Sequence, residues 1–172
     1  MMLFKEQIDS HELVFIHGAW ASGWGWSSLI PYLESEKIHC HVVDLPGSET
    51  KEASFQSQAS LQDYVDFVCA KMDAIEKPVW LVAHSGGGLT ATAVAEAVPD
   101  KVLGIIYVVA MMLPSAMSYG DLCANVSNKQ NIDTKGISPH LKTTAFGSYI
   151  DSFSAVKEVF YRMLQMKLYL TW

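Results

Sequence analysis

The chain contains no apolar run long enough to cross a bilayer. Its longest, Val102 to Leu113, is interrupted by Gly104 and stops well short of the roughly 20 residues a spanning helix needs. It also lacks a basic cluster. Lysine and arginine total 12 against 18 acidic residues, a net charge of -6, which argues against a nucleic-acid surface and leaves a small neutral or anionic organic molecule as the partner to expect. The three cysteines, Cys40, Cys69 and Cys123, are odd in number, far apart and without metal-ligand spacing. They exclude a disulfide framework, predict no metal and read as reduced thiols of a cytoplasmic protein. Met1 to Glu6 offers no basic start leading into an apolar stretch and a small-residue cleavage site, so no secretion signal is expected. The glycosylation-like triplet Asn125-Val126-Ser127 is accordingly ascribed to chance. There is no internal repeat, and no histidine follows His140.

What is present is the material of a core. Half of the 172 residues are hydrophobic and 17% are charged, which suits one globular domain, 1–172, large enough to bury roughly 70% of its unfolded surface. Leu13 to Ile16 is a continuous apolar run, as a parallel strand covered on both faces requires. Ser27 to Glu36 predicts a helix with Pro31 near its start, and Ile38 to Asp44 a second strand. Residues 46–59 read as a surface loop. Ser60 and Asp63 form a capping-box pattern, opening a helix whose Leu61, Tyr64, Val65, Val68, Met72 and Ile75 share a face. Val79 to Ala83 is a third strand and Gly87 to Val98 a third helix, with alanines at 91, 93, 95 and 97 expected to bring it close to the sheet. Val102 to Val109 is a fourth strand. The alternation predicts an α/β fold with a parallel sheet of at least four strands and flanking helices.

The third strand ends in Ala83-His84-Ser85-Gly86-Gly87. A serine on a strained strand-to-helix corner needs small residues two before and two after it, and Ala83 and Gly87 supply them. Two other readings fit the same residues. Ser85 could simply cap the helix, or Gly86-x-Gly88-x-x-Ala91 could cradle a dinucleotide pyrophosphate. The dinucleotide reading also needs an acid at the end of the next strand, and Tyr107 to Met111 has none, so it is the weaker. The first strand runs into His17-Gly18-Ala19-Trp20, with Trp24 and Trp26 close behind. Each tryptophan either walls a pocket or covers the core.

Strand-H-G-A-W, strand-D-L-P-G (Asp44 to Gly47) and strand-A-H-S-G-G-G, in this order, resemble the α/β-hydrolase superfamily. More narrowly, the chain is similar to the lidded esterases that include plant methylesterases and hydroxynitrile lyases. The resemblance covers residues 13 to about 114. It implies an α/β-hydrolase fold with a helical lid, a cofactor-free serine hydrolase of small carboxylic esters, Ser85 as nucleophile, and the backbone N–H groups of Ala19 and Gly86 as the oxyanion hole. Trp20, Trp24 and His84 would border the substrate pocket. In the family's strand order, the strands before Ala19 and Ser85 are neighbours, with Ile38 to Asp44 outside the first.

The resemblance also implies a triad acid and histidine on loops after the lid, and here the chain departs from it. Residues 1–114 form the expected core and 115–172 a lid region of short helices with an apolar tail. After the lid come only Asp151 and Glu158 as acids and no histidine. His140 reads as a surface residue rather than a relocated base. The C-terminal strands are therefore expected to be missing, with the chemistry impaired. A lyase and a non-catalytic binding module or pseudoenzyme remain as alternatives. The strand Val102 to Val109 would then keep an open apolar edge, through which the chain could form a homo-oligomer.

Overall fold

A computed structural model describes residues 12–48, 59–130, 136–144 and 147–160. The lead before residue 12, most of the predicted loop (49–58) and the apolar tail (161–172) lie outside the described residues. The chain divides into two compact units, Met1–Met112 and Leu113–Trp172.

The first unit holds the strand-helix alternation. Its strands are β1 (Glu12–Ile16), β2 (His39–Val43), β3 (Val79–Ser85) and β4 (Val102–Ala110), and its helices α1 (Ile30–Ser35), α2 (Leu61–Met72) and α3 (Gly87–Ala97). All strand pairs are parallel, in the order β2-β1-β3-β4. Side chains alternate across a strand, so a strand buried on both faces serves two cores. Val14 and Ile16 join Val65, Val68 and Met72 of α2 and Ala91 and Val94 of α3 in one apolar cluster, whereas Leu13 and Phe15 join Trp26 in another. The second cluster is less complete in its polar pairing. The indole nitrogens of Trp26 and Trp80 are buried without a hydrogen-bond partner.

Local chemistry explains the element ends. Ser60 and Asp63 make the predicted capping box: Asp63 N–H donates to Ser60 Oγ at 3.2 Å, and Ser60 N–H to the Asp63 carboxylate at 2.7 Å. Leu61, placed on the apolar face by spacing, is instead 48% exposed, because the first turn of α2 runs past the edge of the core. The alanines of α3 also divide differently from the expectation. Residues two apart on a helix point in different directions, so Ala91 is buried while Ala97 is exposed, and the buried face runs Gly87, Gly88, Thr90, Ala91 and Val94. Gly104 interrupts β4 because a Cβ there would stand 2.5 Å from Cζ3 of Trp80.

The second unit contains α4 (Tyr119–Gln130), a short 3-10 helix (Ser138–His140), β5 (Lys142–Thr144), β6 (Gly147–Tyr149) and α5 (Phe153–Phe160). An insertion of short helices alone was expected. The structure adds a two-stranded antiparallel sheet of β5 and β6, whose three-residue strands are too short for a two-residue period to register in the sequence. Ser118 and Asp121 open α4 with the same box geometry as Ser60 and Asp63. No described helix is long and apolar enough to cross a membrane.

Candidate functional site

The chain runs from β1 outward to β2 on one side and returns to β3 on the other. The winding therefore reverses between β1 and β3, and crevices at the carboxyl ends of strands form at such a switch point. The loop after β1 and the corner after β3 both start there.

Ser85 is the last residue of β3 and has φ +52°, a left-handed conformation that is uncommon outside glycine. Such backbone strain costs on the order of 1–3 kcal/mol and persists only when the surroundings enforce it. They do so here through three close backbone approaches. A Cβ on Gly18 would stand 2.6 Å from Ser85 Cβ and 3.1 Å from its Oγ, so the loop after β1 presses directly on the serine. A Cβ on Gly87 would stand 2.6 Å from the His17 carbonyl oxygen and 2.7 Å from that of Ile16, which docks the start of α3 against β1. Gly88 leaves room for the carbonyl of Met111, whose own N–H donates to the Ser85 carbonyl at 2.8 Å. The contact with Met111 accounts for Gly88 of the dinucleotide-like pattern without any phosphate.

The loop after β1 is held from below. His17, 4% exposed, lies within hydrogen-bond distance of the Gly18 carbonyl through Nδ1, at 2.8 Å, and accepts the Leu45 N–H at Nε2, at 3.0 Å. This pairing fixes the neutral tautomer with the proton on Nδ1, since Nε2 must accept. The Asp44 carboxylate takes the Gly23 N–H at 2.5 Å. Thus the D-L-P-G segment after β2 ties down both ends of the glycine-rich loop.

Ala19 and Gly86 come together: a Cβ on Gly86 would stand 3.9 Å from the Ala19 nitrogen. Trp20, with φ +56°, is 43% exposed and Trp24 is 58% exposed, whereas Trp26 is buried and covers the core. His84, exposed on β3, meets the Trp26 ring edge-on at 6.2 Å between centroids. Partial desolvation, and then the neighbouring His17, hold its pKa below the ordinary 6.5. Sequence reasoning missed Gly18 as the residue that shapes the serine corner. Its signal was the H-G pair after β1, where only glycine leaves room for the Ser85 side chain.

His39 and His41 begin β2, at the opposite end of the sheet from Ser85, and face the Glu12 carboxylate at 3.4 and 2.8 Å. His140 closes the 3-10 helix of the second unit and is exposed. Asp151 is ion-paired with Lys142, whose hydrogen bond holds the carboxyl below its usual range, and Glu158 is exposed on α5. No group of three described His, Cys, Asp or Glu residues is arranged to hold a metal ion.

A family model described as the alpha/beta hydrolase family matches residues 13–165. Methylesterase 18 of Arabidopsis thaliana is 32% identical over 108 residues, covering 62% of this chain and 41% of the relative. Methylesterase 7 of the same plant is 30% identical over 134 residues, covering 73% and 51%. The chain thus spans about half or less of the curated relatives it matches. Among solved structures, a pyrethroid hydrolase from Sphingobium faniae JZ-2 superposes with a TM-score of 0.75 at 24% identity, over 87% of this chain and 60% of that one, a likeness of fold.

Proposed function

Because the chain belongs to the alpha/beta hydrolase family, we propose that it carries the nucleophile half of a serine esterase acting on small-molecule carboxylic esters. Ser85 Oγ would attack the ester carbonyl carbon, and the Ala19 and Gly86 N–H groups would receive the resulting oxyanion. The observation that carries this reading is the left-handed Ser85, wedged against Gly18 at the end of β3. Trp20 and Trp24, exposed on the adjoining loop, would border the acyl or alcohol group, and His84 would line the corner.

The serine must also lose its proton. His17 cannot take it, because Nε2 is occupied by the Leu45 N–H and the Nδ1 proton faces the Gly18 carbonyl. His39 and His41 are paired with Glu12 at the far end of the sheet. We therefore assign no triad acid or base, and place the activity of the chain as it stands near the residue of roughly 10³–10⁴ over water that oxyanion binding alone leaves. The commitment of His17 also favours, as a second reading, a pocket that binds esters without turning them over.

Intact mass after treatment with a serine-directed fluorophosphonate tests the assignment. Slow labelling at one site, abolished by Ser85→Ala, is expected, with ester turnover close to background. Labelling that persists in Ser85→Ala would overturn the nucleophile, and rapid labelling with turnover would overturn the impairment.

A further inference from the structure

Two residues at the candidate site hold left-handed backbones without being glycine, Ser85 at φ +52° and Trp20 at φ +56°. A bulky residue keeps such a conformation only where its surroundings enforce it. Ser85 is clamped by the backbone approaches at Gly18, Gly87 and Gly88. Trp20 lies in the middle of a segment, Ala19 to Ser22, that is tied at both ends to the chain leaving β2. At the near end the Leu45 N–H donates to Nε2 of His17 at 3.0 Å, and Nδ1 of the same ring lies 2.8 Å from the Gly18 carbonyl oxygen. That carbonyl belongs to the peptide unit whose nitrogen is Ala19's. A peptide unit is planar and trans, so the direction of the Gly18 oxygen sets the opposite direction of the Ala19 N–H.

At the far end the Asp44 carboxylate accepts the Gly23 N–H at 2.5 Å. Gly23 opens a four-residue 3-10 helix, Gly23–Trp26, and the Ser22 side chain at its N-cap position makes no capping bond. The acceptor comes instead from a residue 21 positions away. A Cβ on Gly23 would stand 2.6 Å from Cγ1 of Val42 and 3.1 Å from Oδ1 of Asp44, so this end of the loop lies directly against the end of β2. Trp26 then closes the short helix, buried edge-on against Phe15 at 5.1 Å between centroids.

Resting on the esterase reading of Ser85, we infer that Asp44 is a positioning residue for the oxyanion hole: by holding Gly23 it keeps Trp20 left-handed and the Ala19 N–H in place beside Gly86. Asp44 touches no reacting atom and acts through the backbone between Ala19 and Gly23. Without its carboxylate, rotation at Trp20 can relieve the strain, and the Ala19 N–H loses its fixed direction.

NMR-detected amide exchange and the kinetics of fluorophosphonate labelling, each on the unaltered chain, Asp44→Ala and Asp44→Asn, test this. The Gly23 amide should be protected in the unaltered chain. In Asp44→Ala the amides from Ala19 to Gly23 should exchange about tenfold faster or more, while those of β1 and β3 keep their protection. Asp44→Asn, which retains an acceptor oxygen, should restore most of it. For labelling at Ser85, Asp44→Ala should lower the limiting rate about tenfold, short of the roughly 10²–10³ that loss of a whole oxyanion donor costs, with the half-saturating reagent concentration unchanged. Asp44→Asn should recover that rate. An unprotected Gly23 amide in the unaltered chain would overturn the proposal, and needs no variant to fold. So would unchanged exchange from Ala19 to Gly23 in Asp44→Ala, a loosened loop with an undiminished labelling rate, or equal slowing in Asp44→Asn. If the unaltered chain takes no label at Ser85, the esterase reading fails, and exchange alone decides whether Asp44 holds Ala19.

Discussion

Residues 12–112 and 113–160 are built from similar local devices on very different foundations. Both use a serine-aspartate box to open a helix, at Ser60 and at Ser118. Among the described residues, only the first unit sets its helices against a sheet with apolar residues on both faces. Sixteen of its hydrophobic side chains are buried, from Leu13 to Val94, against Ile137 and Ala155 among the described residues of the second. The difference teaches that capping and propensity decide where an element starts, whereas burial decides how much its presence is worth. Strain follows the same rule. A left-handed Ser85 is affordable in the first unit because Gly18, Gly87 and Gly88 let three backbone segments clamp it.

The largest effect that could break this comparison is a matched pair of core truncations. Leu81→Ala, at a fully buried position of the central strand, should cost about 4 kcal/mol in urea unfolding, near the upper range for leucine truncations. Ile137→Ala should cost about 2 kcal/mol or less, because its site is less enclosed. Equal losses would mean the second unit is as firmly packed as the first.

A smaller effect sharpens it. Ser60→Ala and Ser118→Ala remove the same cap and should each cost about 1 kcal/mol of local helix stability, read by amide exchange in α2 and α4 respectively. Hydrogen bonds from Ser60 and Ser118 hold the Asp63 and Asp121 carboxyls below the ordinary 3.8. A lowered folded pKa means the boxes contribute fully above 3.8 and fade as pH falls through and below it, in both units alike. A fade in only one helix would show that the two boxes are not equivalent.

The smallest effect concerns His84. Its pKa is lowered from 6.5 by desolvation and then by His17, so the unfolded chain binds more protons than the folded one as pH falls through 6.5. Stability of the first unit should therefore decline modestly from about pH 7.5 to about 5.5, and His84→Asn should flatten that decline. An unchanged slope in the variant would place the pH dependence elsewhere.

Much of the first unit was legible because each element buries a periodic face. The runs Leu13 to Ile16 and Val79 to Ala83, and the α2 stripe of Val65, Val68 and Met72, are what a doubly covered parallel sheet demands of its sequence. The second unit was less legible for the converse reason. The three-residue strands β5 and β6 carry too few positions for a period to show, and the described residues of that region bury little that could impose one.

At the candidate site, the small residues around Ser85 could be read directly, because a strained corner tolerates nothing larger. The roles of the histidines could not. His17, His39, His41 and His84 look alike along the chain, and only tertiary placement separates them. It buries His17 between the Gly18 carbonyl and the Leu45 N–H, sets His39 and His41 against Glu12, and leaves His84 beside Trp26. Periodicity fixes which residues must be inside, since burial is a property of a face that repeats along one element. Which polar atoms meet depends on segments distant in sequence, and that is decided only when the sheet brings them together.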